Sequence, residues 1–76
     1  MNKKDQLKEY IIQDIVCNIV EDFDIEFDEA MNRFYNSQTF DKLLNSETGL
    51  YLESSAYVYG IYQHEVKTGT LKDVAL

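Results

Sequence analysis

The chain has 76 residues, 45% of them hydrophobic, and a net charge of −7. A domain of this length buries only about 60 to 65% of its unfolded surface, and Cys17 and His64, the single cysteine and histidine, exclude an internal disulfide and an ordinary zinc site. Oligomerisation is the remaining way to stabilise so small a core. The negative charge disfavours nucleic acid and anionic lipid as partners.

Cysteine usage and hydropathy predict where the protein resides. A lone cysteine is typical of a reducing compartment, and no uninterrupted apolar stretch follows the first residues as it would in a signal peptide. No span approaches the roughly 20 apolar residues that a membrane helix requires. We therefore expect a cytoplasmic protein without membrane contact.

An amphipathic helix is predicted from Lys4 to about Phe23. Its apolar positions recur at steps of three and four: Leu7, Ile11, Ile12, Ile15, Val16, Ile19, Val20 and Phe23. The run is too long for a strand and lacks a period of two, so its many β-branched residues do not change the assignment. Cys17 borders the polar face of this helix.

Six acidic residues follow between positions 21 and 29. A calcium-binding loop is excluded, because counting Asp22 as the first ligand puts Phe27 where glycine is required and Arg33 where a bidentate glutamate belongs. We expect a connector in which Asp28 or a neighbour caps the next helix. Its apolar residues, expected to point inward, are Phe23, Ile25 and Phe27.

Two short helices are predicted next. The first spans Asp28 to Asn36, the second is capped by Thr39, and a turn at 45–49 follows. The apolar positions of the first are Ala30, Met31, Phe34 and Tyr35, and the second is expected to bury Phe40, Leu43 and Leu44. The pair resembles a DNA-binding helix-turn-helix in outline, but its second helix offers a phosphate only Lys42, with Asp41 beside it.

The last helix begins at Leu50 or, if Ser54 is its N-cap, a turn later, and ends near Lys67. If it begins at Leu50, its apolar side chains cover roughly 200° of the helix surface, about twice the usual stripe. This segment holds four of the six tyrosines, and its surplus apolar surface predicts contact with another chain. A later start narrows the arc and weakens that prediction.

Nothing in the residue pattern points to catalysis. Cys17 has no basic cluster or helix N-terminus nearby to activate its thiol, and His64 falls on the polar arc of the last helix, where we expect it to be exposed. Asp22 and Glu26 would share a helix face, but a helical chain of this length offers little room for a cleft. The three glycines are isolated and form no phosphate loop. We expect no enzyme, no metal and no cofactor.

Several short segments carry a resemblance to a known group of proteins. They are Glu29-Ala30-Met31, Phe34-Tyr35-Asn36-Ser37, Thr39-Phe40, Lys42-Leu43-Leu44, Glu47-Thr48-Gly49-Leu50-Tyr51 and Tyr57-Val58-Tyr59. Over roughly residues 10 to 66 they resemble short bacterial helical proteins classed as domains of unknown function. Some proteins of this kind look like partners of toxin-like proteins in two-gene operons. The resemblance implies an antitoxin or adaptor role and no active site.

We predict an all-α, four-helix bundle forming a single domain, with long first and last helices, two short middle helices, and flexible ends at 1–3 and 69–76. We expect a non-enzymatic protein-binding module that forms a homodimer or binds a protein partner. The expected contact residues are Phe34, Tyr35, Tyr51, Tyr59, Tyr62 and Val66. The acidic stretch at Asp22, Asp24 and Glu26 would steer a basic partner. The alternatives are a small DNA-binding regulator and an acidic inhibitor that imitates DNA.

Overall fold

The computed structural model describes residues 2–69, and Met1 and residues 70–76 lie outside them. It confirms the predicted all-α fold with a long first helix, a longer last helix than the two middle ones, and no strand among the described residues. Of the flexible ends expected at 1–3 and 69–76, Met1 and residues 70–76 fall outside these residues. The helices are α1 (Lys3–Phe23), α2 (Phe27–Tyr35), α3 (Gln38–Leu44) and α4 (Ser55–Thr68), with 3-10 turns at Ser46–Thr48 and Leu50–Leu52.

Local signals set both ends of α1. The Asn2 side chain accepts a hydrogen bond from the Asp5 backbone N–H at 2.9 Å, which satisfies one of the free donors of the first turn. At the other end, Asp24 adopts a left-handed conformation with φ of 53° and stops the helix. Aspartate tolerates this conformation better than most residues with a Cβ.

The core lies between α1 and the other three helices. α1 packs against α2 and α4, and α3 packs against α4. The buried apolar residues are Ile11, Ile15, Val16, Ile19, Ala30, Phe34, Leu43, Leu50, Val58, Tyr59, Ile61 and Tyr62. Their positions on α1 follow the three-and-four spacing from which that helix was predicted, so the buried stripe of α1 matches the sequence pattern.

The last helix begins at the later of its two predicted starts. The Ser54 hydroxyl accepts a hydrogen bond from the Tyr57 backbone N–H at 3.1 Å and caps α4. Leu50–Leu52 instead forms a separate 3-10 turn, which places Leu50 in the core and leaves Leu52 exposed. The broad apolar arc expected for a helix starting at Leu50 is therefore absent from α4.

The connector between α1 and α2 differs from the prediction. Phe23 and Phe27 are 38% and 45% exposed, and only Ile25 packs against the core. Glu26 occupies the N-cap position of α2 without a side-chain hydrogen bond, and Asp28 lies in the first turn. Three residues join the two helices, too short a connection to turn three apolar side chains inward.

The N-terminus of α3 also departs from the prediction. Ser37, not Thr39, is its N-cap, and the Ser37 hydroxyl accepts a hydrogen bond from the Phe40 backbone N–H at 3.1 Å. Two more donors of this first turn are satisfied from α4: one Glu65 carboxylate oxygen accepts from the Gln38 N–H at 2.8 Å and the other from the Thr39 N–H at 2.9 Å. This tertiary cap holds α3 against α4.

Within residues 2–69, none of the helices has both the length and the apolar content needed to cross a bilayer.

Candidate functional site

Three of the six residues predicted to contact a partner lie in the core of the single chain. Phe34 is fully buried, and Tyr59 and Tyr62 are 8% and 3% exposed. Phe34 packs edge-on against Tyr62, with ring centroids 5.6 Å apart, and Tyr59 stacks on Tyr62 at 6.1 Å. A contact role does not fit this location, because these rings already pack against each other in the folded chain.

The two buried tyrosines are held in their protonated forms. The Tyr59 hydroxyl donates a hydrogen bond to the Asp22 carboxylate at 2.5 Å, joining α4 to α1. Burial and this hydrogen bond raise the pKa of Tyr59 well above that of a free tyrosine. Burial also raises the pKa of Tyr62, with Arg33 opposing and Glu65 assisting the shift. The Tyr59 hydroxyl is therefore a structural hydrogen-bond donor between α4 and α1.

The other three predicted contact residues lie at the surface, in different places. Tyr35 is 45% exposed beside α3, where its ring centroid lies 4.8 Å from that of Phe40. Tyr51 is half-buried beneath the ammonium groups of Lys4 and Lys8. Val66 is 50% exposed near the end of α4. The predicted continuous tyrosine stripe is therefore divided between core and separate surfaces.

A groove with a volume of about 320 Å³ runs between α1 and α2 and reaches the end of α3. We name it the α1–α2 groove. Its apolar lining consists of Ile12 and Val16 from α1, Phe27, Met31 and Tyr35 from α2, and Leu44 from α3. Its polar lining consists of Asp5, Lys8, Glu9 and Gln13 from α1. Apolar side chains from three helices thus converge on one open surface.

The helix α2 carries more apolar surface than the core covers. Phe27, Met31 and Tyr35 follow one another at steps of four and form one stripe facing the groove. The neighbouring stripe, Ala30 and Phe34, is fully buried. Together the five positions span about 140° of the helix surface, against about 100° for a usual surface helix. The surplus apolar arc that was predicted for the last helix lies on α2.

The charged groups at the groove differ in whether they already bind another group of the described residues. The Lys8 ammonium donates to the Leu44 carbonyl at 2.9 Å and to the Ser46 hydroxyl at 3.0 Å, which holds it between α1 and the end of α3. Asp5 and Glu9 are exposed, and within residues 2–69 neither carboxylate forms an ion pair. The rim therefore presents two carboxylates that a partner can approach.

A second groove, which we name the α1–α4 groove, lies on the opposite flank of α1 and shares no lining residue with the first. Tyr10 and Leu52, its most exposed apolar residues, are 67% and 69% exposed. One of its walls is the 3-10 turn at Leu50–Leu52 rather than a regular helix. The lining residues are Leu7, Tyr10, Ile11, Asp14, Tyr51, Leu52, Glu53, Ser54, Ser55 and Ala56.

The residues weighed for chemistry are not assembled into a reactive site. Cys17 is exposed on α1 as a free thiol. His64, expected to be exposed, is half-buried on α4, and its shielded Nε2 atom has no hydrogen-bond partner among residues 2–69. Asp22 accepts the Tyr59 hydroxyl, a structural hydrogen bond. Within the part of the chain that the structure describes, no three His, Cys, Asp or Glu side chains lie close enough to hold a metal ion.

Sequence reasoning missed most of the α1–α2 groove. Phe27 was expected to point inward and Leu44 to be buried, but they are 45% and 46% exposed. The available signal was the four-residue spacing of Phe27, Met31 and Tyr35 beside the stripe of Ala30 and Phe34. A wheel of α2 that included Phe27 would have shown an arc too wide for a nine-residue helix to bury.

Comparisons with known proteins add no further identification. No protein-family model, no curated protein and no solved structure matches this chain. The resemblance to small bacterial helical proteins therefore stays a prediction, and any function must be argued from the geometry of the chain itself.

Proposed function

We propose that this chain is a non-enzymatic protein-binding module whose contact surface is the α1–α2 groove. The observation that carries this proposal is the open apolar stripe of α2. Phe27 and Tyr35 are each 45% exposed, and Met31 lies half-buried between them. Aromatic residues and methionine are enriched at the centres of protein interfaces, where they supply large contact areas at modest entropic cost.

Both walls of the groove are also regular helix. Its walls are α1 and α2, which pack directly against each other, and Ile12, Met31 and Val16 connect its floor to the core. The α1–α4 groove has side chains with larger exposed fractions, but one wall is a 3-10 turn and one of its two tyrosines, Tyr51, is already covered by two lysines. A preformed groove loses less conformational entropy on binding.

The other functions raised by the sequence have weaker support. The helix α3, which would read DNA in a helix-turn-helix, spans seven residues and presents Lys42 beside the exposed Asp41. An inhibitor that imitates DNA would use an acidic surface and would not need the apolar stripe of α2. An antitoxin or adaptor would be one form of the proposed module, and the resemblance described above is its support.

Selection from a library of random 16-residue peptides displayed on phage tests the proposal. Enriched peptides are measured against the wild type, a groove variant (Phe27→Ser with Tyr35→Ser) and a matched control variant (Tyr10→Ser with Leu52→Ser). We expect peptides that bind the wild type and the control equally and the groove variant at least about tenfold more weakly. Circular dichroism checks that all three proteins keep the same helix content.

Two results would refute this function. Either no peptide is enriched and the untagged protein is a monomer in solution, or the enriched peptides bind the groove variant as well as the wild type. Light scattering of the untagged protein gives an independent measurement of self-association. A dimer of about twice 8.9 kDa that becomes a monomer in the groove variant would support the function, with a second copy as the occupant.

A further inference from the structure

We propose that the occupant of the α1–α2 groove is a short basic amphipathic helix of a partner protein. This inference rests on the proposed function and specifies the partner's chemistry. Three features support it: the length of the groove, the backbone hydrogen bonds already formed within its helical walls, and the charge on its rim.

The length of the groove fits about two to three helical turns. On α2, the stripe from Phe27 to Tyr35 spans eight residue steps, or about 12 Å at about 1.5 Å per residue. On α1, the lining from Asp5 to Val16 spans eleven steps, or about 16 Å. A helix of eight to eleven residues has about the same length, and its apolar side chains at i, i+4 and i+7 would meet Phe27, Met31 and Tyr35 in turn.

The backbone of the groove walls favours a helical occupant over an extended one. An extended peptide gains affinity by pairing its N–H and C=O groups with an open sheet edge. Here both walls are helices whose central backbone groups already bond to one another, and residues 2–69 contain no strand. A bound helix satisfies its own backbone hydrogen bonds and needs only side-chain contacts from the groove.

The negative charge on the rim of the groove favours a positively charged partner. Asp5 and Glu9 lie four residues apart along one edge of the groove, both exposed and without an ion pair among the described residues. Lys8, the cation between them in sequence, is engaged by the Leu44 carbonyl and the Ser46 hydroxyl. Lysine or arginine on the flanks of a bound helix would meet these carboxylates, and the net charge of −7 would accelerate its approach.

The same charge argues against a second copy as the occupant. A symmetric dimer across the groove would bring together two chains of net charge −7 with the same acidic rim on each. Like charges across an interface weaken association, whereas a basic partner gains from them. The partner chemistry is therefore opposite in charge to this chain.

Three fluorescein-labelled designed peptides of 14 residues test the inference by fluorescence anisotropy. The first peptide has leucine at i, i+4, i+7 and i+11 with lysine on its flanks, and the second has glutamate in place of each lysine. The third has the same composition as the first, but its apolar and polar residues alternate along the chain, so that it lacks the helical spacing. We expect the first peptide to bind at least about tenfold more tightly than the other two. Its helix content should rise on binding.

Variants of this chain assign the contacts. The Phe27→Ser/Tyr35→Ser variant should lose at least about tenfold in affinity for the basic helix, and the Tyr10→Ser/Leu52→Ser control should lose none. Neutralising the rim with Asp5→Asn and Glu9→Gln should weaken binding at least about threefold at low salt and reduce its salt dependence.

The inference is overturned by failure of the basic helix to bind, by equal binding of the acidic or alternating peptide, or by equal affinity of the rim variant. It is also overturned if self-association fills the groove. Each of these results leaves the proposed function intact when library peptides of another chemistry, or a second copy, bind in a groove-dependent way. Absence of any groove-dependent binding refutes both proposals.

Discussion

The two neighbouring faces of α2 carry similar apolar side chains but meet different surroundings. Ala30 and Phe34 are fully buried, and Phe34 lies edge-on to both Phe40 and Tyr62. Phe27 and Tyr35, on the adjacent stripe, are each 45% exposed in the α1–α2 groove. Residue type alone does not separate core from contact surface; the difference is whether another helix of the same chain covers the face.

We call the part of the molecule where α4 packs against α1 and α3 the covered side. Polar interactions also hold its helices together. Glu65 on α4 caps α3 through the Gln38 and Thr39 backbone N–H groups and the Thr39 hydroxyl. Tyr59 on α4 donates to Asp22 on α1. At the α1–α2 groove, by contrast, the rim carboxylates have no such partners among the described residues. The comparison predicts that substitutions on the covered side reduce stability and that substitutions in the groove reduce binding.

Replacing Phe34 with Ala should have the largest effect. Removing a fully buried phenylalanine costs about 3 to 5 kcal/mol, which is most of the unfolding free energy of a small domain. We expect the far-ultraviolet circular dichroism signal of a largely unfolded chain at 25 °C. A folded Phe34→Ala variant with a wild-type urea midpoint would show that this face of α2 is not the core.

Replacing Glu65 with Ala should have the next largest effect. It leaves two backbone donors and the Thr39 hydroxyl without their acceptor, and Thr39 is fully buried. We expect a loss of about 2 to 3 kcal/mol in the unfolding free energy, measured by urea denaturation. The Glu65→Gln variant keeps one carbonyl acceptor and should lose about half as much. Equal stability of all three proteins would contradict the tertiary cap.

Replacing Tyr59 with Phe tests the link between α4 and α1. Asp22 is exposed and can be solvated by water, so losing the hydroxyl should cost only about 1 kcal/mol at pH 7. The pKa of Tyr59 is raised in the folded chain, so the stabilising contribution is complete below about pH 10, the free tyrosine value, and is lost as the pH rises above it.

The pH dependence provides the control for Tyr59. Urea midpoints measured between pH 8 and pH 11 should fall at the alkaline end for the wild type, because the unfolded chain releases the phenolic protons. The fall should be smaller in Tyr59→Phe, and the remainder should come from Tyr62, whose pKa burial also raises. Identical alkaline profiles would show that Tyr59 ionises in the folded chain.

Replacing Tyr35 with Ser should change stability least. Its ring is 45% exposed and makes its ring contact with Phe40, so we expect a loss below about 1 kcal/mol in unfolding free energy. Peptide binding in the groove should nevertheless fall by about tenfold. A larger loss of stability than that of Glu65→Ala would mean that Tyr35 belongs to the covered side.

The order of these effects separates two neighbouring residues of one helix. Phe34 and Tyr35 are adjacent in sequence, and both were predicted to contact a partner. Positions one apart on a helix differ in direction by about 100°, enough to place one ring in the core and the other at the groove. Periodicity correctly predicted that α2 is a helix, but it could not tell which apolar position faced inward, because both sides of its arc are apolar.

The tyrosine-rich segment shows why most of the candidate site could not be predicted from the sequence. The surplus apolar arc predicted there depended on a helix beginning at Leu50, and the Ser54 cap delays the start. Tyr59 and Tyr62 then fall on the buried side of α4, whereas Tyr51 belongs to a 3-10 turn under two lysines. The later start removes Leu50, Tyr51 and Leu52 from the helical wheel, and the apolar arc narrows because those three apolar positions no longer belong to the helix.

The amino-acid sequence by itself determined the helical class, the extent of α1 and the approximate places of the other helices. Apolar spacing and capping residues act within a few positions along the chain, so these features can be read locally. Only the tertiary structure decided that Glu65 caps α3, that Asp22 binds Tyr59 and that the open apolar stripe lies on α2. Those outcomes depend on contacts between residues 26 or more positions apart, and on which face of each helix the others happen to cover.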